Sequence, residues 1–261
     1  MLAERRIQIG LRIASIVGLV LCIAMAGWFV GRMLPIFRPT SSDRPTKDGA
    51  GDPVEAEAPL DEQIAAVQRG ASGTIQIEGR PIGRQELERL ARLERLQVLK
   101  LDHEDNAIGD EDCKLLAGMR NLAHLRIRGG SIGDDGLVHL ATLPQLKILN
   151  LPRSRVTDHG LATLSHLPRL SQLRLGSGQI TDAGLKELHR FAALTQLHLI
   201  GAPLSDAGLD EIARLKRLES LYLDDSRVTD QGLERLFRAR PDLHVHVNQQ
   251  HHDRDPQRGH K

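Results

Sequence analysis

"ITDAGLKEL", residues 180–188, sets a carboxylate, Asp182, two residues ahead of a glycine and a short amphipathic run. Taken alone, Asp182 would be a candidate catalytic or metal-binding acid. The phrase recurs as "IGDEDCKLL" from 108, "IGDDGLVHL" from 132, "VTDHGLATL" from 156, "LSDAGLDEI" from 204 and "VTDQGLERL" from 228. Its aspartates, Asp110, Asp134, Asp158, Asp182, Asp206 and Asp230, follow one another every 24 residues. An active site does not normally occur six times in register. The phrase is therefore a structural period, and a fixed period of this size signals a stacked repeat architecture.

The unit "LSQLRLGSGQITDAGLKELHRF", from 170, shows what is repeated. Its L-x-x-L-x-L start has a period of two, which predicts a short strand with Leu173 and Leu175 inward and Arg174 outward. Leu185, Leu188 and Phe191 step by three, a helical spacing. Each unit is thus a strand, a turn and a short helix, and none buries its apolar side alone. Inward strand positions run Ile75, Leu99, Leu125, Leu149, Leu173, Leu197, Leu221 and Val245, in steps of 24 except between 99 and 125, where "DHEDNA" adds two residues. The first unit, "IQIEGRPIGRQELERLARL", has Arg84 in place of the aspartate, and the last, "LHVHV", is a lone strand. Ahead of them "LDEQIAAVQRG" places Leu60, Ile64 and Val67 on one helical face with Gly70 as a stop, the pattern of a capping helix.

This recurrence resembles the leucine-rich repeat family over residues 60–248. The phrase ITDxGLxxL is similar to that of F-box-associated and of many bacterial membrane-anchored leucine-rich repeat proteins. The resemblance implies an α/β fold: a curved solenoid of about eight strands, parallel on the concave face, with short helices on the convex face and a protein-binding role. The cysteine usual after the strand in F-box relatives is replaced by Gly130, Ser154, Gly178, Ala202 and Ser226, and no F-box fits the linker. Ubiquitin-ligase adaptor function is therefore not carried over.

The 261 residues divide into five segments. Residues 1–12 are a basic tail, 13–33 a transmembrane anchor, 34–59 a disordered linker, 60–248 the repeat domain and 249–261 a polar, His-rich tail. Residues 13–31 carry no charge, and as a helix they would span roughly 28 Å, close to a bilayer core of about 30 Å. Arg5 and Arg6 with "AMA" at 24–26 also fit a cleavable signal peptide, which would make the protein a secreted binder lacking residues 1–26. The apolar stretch exceeds a usual h-region, so an anchor is expected, with the repeats on the extracytoplasmic side. The linker is rich in Pro, Gly, Ser, Asp and Thr and should be solvated.

A net charge of +1 and 2% aromatic content give no reason to expect nucleic acid. Cys22 and Cys113 are too differently placed to pair, and Cys113 occupies a leucine position of the repeat. No glycine-rich phosphate loop or nucleophile motif occurs. Each aspartate is expected to cap its own helix, a role typically contributing about 1 kcal/mol, rather than to join a column of Ca²⁺ ligands. Of the end cluster His244, His246, His251, His252 and His260, only His244 and His246 fall on a strand. No catalytic or metal-ligating residue, cofactor or small-molecule substrate is expected.

The outward strand positions are the candidate binding surface. One column reads Lys100, Arg126, Asn150, Arg174, His198 and Tyr222; its neighbour reads Val98, His124, Ile148, Gln172, Gln196 and Ser220. Half the first column is basic, with Arg128 and Arg153 beside it and Asp224 and Asp225 reversing the sign at the far end. A protein partner with an acidic stretch is expected against the N-terminal repeats. Merely solvated strand positions, or a solenoid that organises an envelope by associating with itself, are the alternatives.

Overall fold

A computed structural model describes residues 58–248 and 250–251. The expected membrane segment 13–33, nearly all of the linker and the last ten residues of the tail lie outside them. Among the described residues no helix is long and apolar enough to cross a membrane.

The chain begins with α1 (Leu60–Arg69) and then alternates strand and helix: β1 (Thr74–Glu78), α2 (Arg84–Ala91), β2 (Val98–Asp102), α3 (Asp110–Leu116), β3 (His124–Arg128), α4 (Asp134–Leu140), β4 (Ile148–Leu151) and α5 (Asp158–Leu164). It continues through β5 (Gln172–Gly176), a 3₁₀ helix (Gly184–Arg190), β6 (Gln196–Ile200), α6 (Asp206–Ile212), β7 (Ser220–Asp224), α7 (Asp230–Ala239), β8 (His244–Val247) and β9 (Gln250–His251). The strands form one sheet in sequence order, parallel from β1 to β8, with β9 turned back antiparallel on β8. β9 falls in residues assigned to the tail.

The register is the one the leucines dictate: Ile75, Leu99, Leu125, Leu149, Leu173, Leu197, Leu221 and Val245 stand side by side across the sheet. All eight are buried, and with the helix leucines they form one continuous aliphatic core. The two extra residues before Leu125 are absorbed in the loop after β2, where Asn106 is 3% exposed. Its Oδ1 accepts from the Ile82 N–H at 2.9 Å, and its Nδ2 donates to the carbonyls of Leu101 at 3.1 Å and Arg128 at 2.9 Å, joining three successive units. The fifth unit departs from expectation: "ITDAGLKEL" forms a 3₁₀ rather than an α-helix, closed by i to i−3 bonds such as Lys186 N–H to Ala183 O.

The aspartates do not cap their own helices. Asp110, Asp134, Asp158, Asp206 and Asp230 are each the first helical residue, with the N-cap just before, and Asp182 precedes its 3₁₀ helix by two residues; Thr157, Ser205 and Thr229 are the caps that accept from the N–H groups of His159, Ala207 and Gly232. The carboxylate instead reaches the following unit. Asp182 Oδ1 accepts from the Ser205 N–H at 2.9 Å and Oδ2 from its hydroxyl at 2.5 Å. Asp134 holds Thr157, Asp158 holds Thr181 and Asp206 holds Thr229 in the same way. Asp110, facing Gly133, accepts two backbone N–H groups, from Gly133 and Gly136. In the unit lacking the aspartate, Arg84 Nη1 pairs with Asp112 of the next unit at 2.8 Å.

This bracket also accounts for the glycine. A Cβ on Gly208 would lie 2.4 Å from Asp182 Oδ1, and one on Gly184 would lie 2.2 Å from Asp158 Oδ1. The phrase is thus a complete joint: a hydroxyl residue caps its own helix and donates backwards, the aspartate accepts forwards, and the glycine makes room for the aspartate behind. Hydrogen bonds to a charged acceptor contribute about 1.5–3 kcal/mol, more than a cap alone. The backbone hydrogen bond from Thr229 and the partners around it hold the Asp206 carboxyl below its ordinary range.

Both ends are closed. Gln63 of α1 uses its amide to bond both the N–H and the carbonyl of Gln76, each at 2.9 Å, so a side chain covers the open edge of β1. At the other end Arg240, 3% exposed, donates to the carbonyls of Leu215 and Leu218 and pairs with Asp242 at 2.7 Å, which pulls the Asp242 carboxyl down to about 2.

Gly208→Ala should cost about 1–3 kcal/mol in denaturant unfolding, the usual range for overpacking. Combined with Asp182→Ala the clash is relieved, so the double variant should lose less than the sum of the two single losses. Strict additivity would contradict the bracket.

Candidate protein-binding surface

Period two in each strand turns one set of side chains into the core and leaves the other on the open face of the sheet. Lys100, Arg126, Asn150, Arg174, His198 and Tyr222 are brought into a single column, extended by Gln76 before it and His246 after it. The second column runs from Thr74 through Val98, His124, Ile148, Gln172, Gln196 and Ser220 to His244. With about 4.8 Å between strands, successive members of a column are near neighbours.

A third column was read from the sequence only in part, as Arg128 and Asp224 beside the first, because the L-x-x-L-x-L motif ends one residue short of it. Glu78, Asp102 and Arg128 align at one end, and Gly176, Ile200 and Asp224 at the other. Continuing the period of two by one more residue would have found the rest. These residues change the electrostatics of the column beside them. Arg126 Nε pairs with Asp102 Oδ1 at 2.5 Å, and His198 Nε2 lies 2.8 Å from Asp224 Oδ2. Arg128 and Arg153 each reach Glu104, at 3.3 Å. Burial raises the Asp102 carboxyl above its ordinary value, with Arg126 opposing it. Much of the basic stripe is therefore paired with acids of the same surface.

The C-terminal end of the face is different in kind. The Tyr222 ring stacks on His246 with centroids 4.5 Å apart and planes 13° apart, and lies 5.4 Å from His198. His244 packs edge-on to His246 at 4.4 Å. A face that begins with paired charges thus ends in a cluster of flat, polarisable rings.

His124, in the second column, is pushed down to about 4 by burial, with Lys100 and Arg126 adding to the effect. Below the ordinary value of 6.5 the unfolded chain then binds a proton that the folded one refuses, so the contribution of this group to stability falls as pH drops from about 6.5 to 4. NMR titration should find the His124 ring resonances unchanged from pH 8 to 5, with a midpoint near 4; a midpoint at 6 or above would contradict this placement.

No protein-family model and no curated protein sequence matches the chain. Among solved structures it is similar to internalin C2 of Listeria monocytogenes str. 4b F2365, at 24% identity over 70% of this chain and 83% of that one, with a TM-score of 0.48. The in-register units of strand, turn and helix fit a leucine-rich repeat architecture.

Proposed function

We propose that this chain is a membrane-tethered interaction module that binds a protein partner across the open face of its strands, through the column Lys100, Arg126, Asn150, Arg174, His198 and Tyr222. The observation that carries this reading is the alignment of that column, strand after strand, on the side of the sheet away from the leucine core. Recognition on this face is polar and aromatic. Among the described residues Val138, 51% exposed, is the one large hydrophobic left open, and it lies on α4 rather than on the strands. Regularly spaced side chains on a rigid sheet suit an extended segment of a partner, and Tyr and Arg are residue types that concentrate binding energy.

The ion pairs refine which partner would fit. Arg126 is already matched by Asp102, so an acidic segment would be drawn less by it than by Lys100, its neighbour in the column. Tethering rests on the uncharged run within residues 13–33, which would leave the repeats on the extracytoplasmic side at the end of a polar linker. Protease added to intact cells should then remove the repeat domain.

Lys100→Glu together with Arg174→Glu should abolish recovery of partners in a pull-down from the native membrane, while Lys186→Glu with Arg120→Glu, exposed and away from the strands, should leave it intact. Partners that survive the first pair of changes, in a protein of unchanged melting temperature, would overturn the reading. Oligomers of the purified chain, formed without any other component, would favour self-association instead.

A further inference from the structure

The loops that lead into the strands carry charge that the net value of +1 conceals. Because β1 to β8 are parallel and in sequence order, every turn from a helix into a strand lies along one edge of the sheet. Exposed on that edge are Arg95 ahead of β2, Arg120 ahead of β3, Lys147 ahead of β4, Arg169 ahead of β5, and Lys216 and Arg217 ahead of β7. Among the described residues none of these six is in an ion pair. The acids of the same loops are Glu94, Glu219 and Asp242, the last held by Arg240. The opposite edge is unlike it: helices open there with Asp110, Asp134, Asp158, Asp206 and Asp230, and Arg84, Arg153 and Arg155 are each paired with a carboxylate. We propose that the basic edge docks on an anionic lipid surface.

Helix dipoles do not account for this excess. A helix C-terminus favours cations only within its last turn, and all six residues stand beyond the helix before them, next to the strand that follows. Arg217 donates to the Ala192 carbonyl at 2.7 Å and Arg169 to the Gln145 side chain, contacts that orient each guanidinium group without neutralising it.

The arrangement suits lipid better than a macromolecule with a fixed shape. From β2 to β7 the cations extend over roughly 24 Å, at about 4.8 Å per strand. A protein partner would need apolar or aromatic anchors, and single-stranded nucleic acid would need rings to stack on. Phe191, the ring within these loops, is buried, and Val138, the large hydrophobic left exposed among the described residues, lies on α4. Long basic side chains spread along an edge match a fluid array of phosphates, where attraction adds up residue by residue and fades within about 10 Å in salt. The inference rests on the proposed tether, which would keep this edge close to lipid and let a weak attraction suffice. Docked in this way the strands would stand upright on the membrane, with their open face turned sideways and accessible to a partner.

The test places the full chain in nanodiscs of phosphatidylcholine, alone or with about 30% phosphatidylglycerol, and reads lysine acylation at each site by mass spectrometry. Labelling of Lys147 and Lys216 should fall more than about threefold in the anionic discs, labelling of Lys186, exposed on the 3₁₀ helix, should stay constant, and about 0.5 M salt should remove the difference. Arg95→Glu with Arg169→Glu, which leaves both reporter lysines in place, should remove it too at an unchanged melting temperature. Equal labelling of Lys147 and Lys216 in the two lipids would overturn the docking, as would a fall that survives salt or the paired substitution in a folded variant. Protection by added polyglutamate but not by anionic lipid would assign the edge to an acidic protein instead. A chain that enters neither disc would contradict the tether alone; flotation with vesicles of the same two compositions then tests the edge, and flotation with neither would overturn the docking.

Discussion

One carboxylate oxygen pair, repeated, holds the units of this protein at a fixed spacing. Asp182 accepts from the backbone and hydroxyl of Ser205, and Asp134, Asp158 and Asp206 do the same for Thr157, Thr181 and Thr229. The leucine core supplies the larger share of the driving force, but burial is non-directional and would tolerate some sliding between neighbours. A charge-assisted hydrogen bond fixes distance and angle as well. That constraint reinforces the strand register that the leucines set, and with it the alignment of the columns on the open face.

A binding surface of this kind needs rigidity more than depth. Its members come from different strands, each contributing one or two side chains, so a shift of one unit against the next would scramble the pattern. The brackets lie on the helix side of each turn while the columns lie on the strands, so the joint and the proposed recognition surface use different residues. The sequence can then vary along a column, from Lys100 to Tyr222, without touching the phrase that sets the spacing. The closed ends serve the same purpose: Gln63 occupies the β1 edge and Arg240 ties the last helix to the carbonyls of the preceding unit.

The strands, their register and the membership of the main column were legible because aliphatic residues at a period of two leave little freedom about which side faces the core. The capping helix was legible for the same reason, and ends at Gly70 with φ 74° as the stop signal implied. The role of the aspartate was not. Asp before a Gly-Leu run looks the same whether it bonds its own helix or the next unit, and the distinction depends on contacts 23 residues away. The ion pair of Arg126 with Asp102 was hidden likewise, since it runs diagonally between neighbouring strands and two different columns. His244 and His246 were correctly placed as outward strand residues, yet their convergence depends on ring orientation, which no spacing rule encodes. The 3₁₀ form of the opening phrase also has no sequence signal, because its neighbours share its leucine spacing and are α-helical.

Amide hydrogen exchange in an Asp182→Ala variant tests the bracket most directly. If Asp182 joins its unit to the next, protection of the Ser205 N–H is lost while the amides of Gly184 and Leu185 exchange as in the parent chain. If exchange instead quickens at Gly184 and Leu185 and Ser205 remains protected, Asp182 serves its own helix and the account of how the units are joined is wrong.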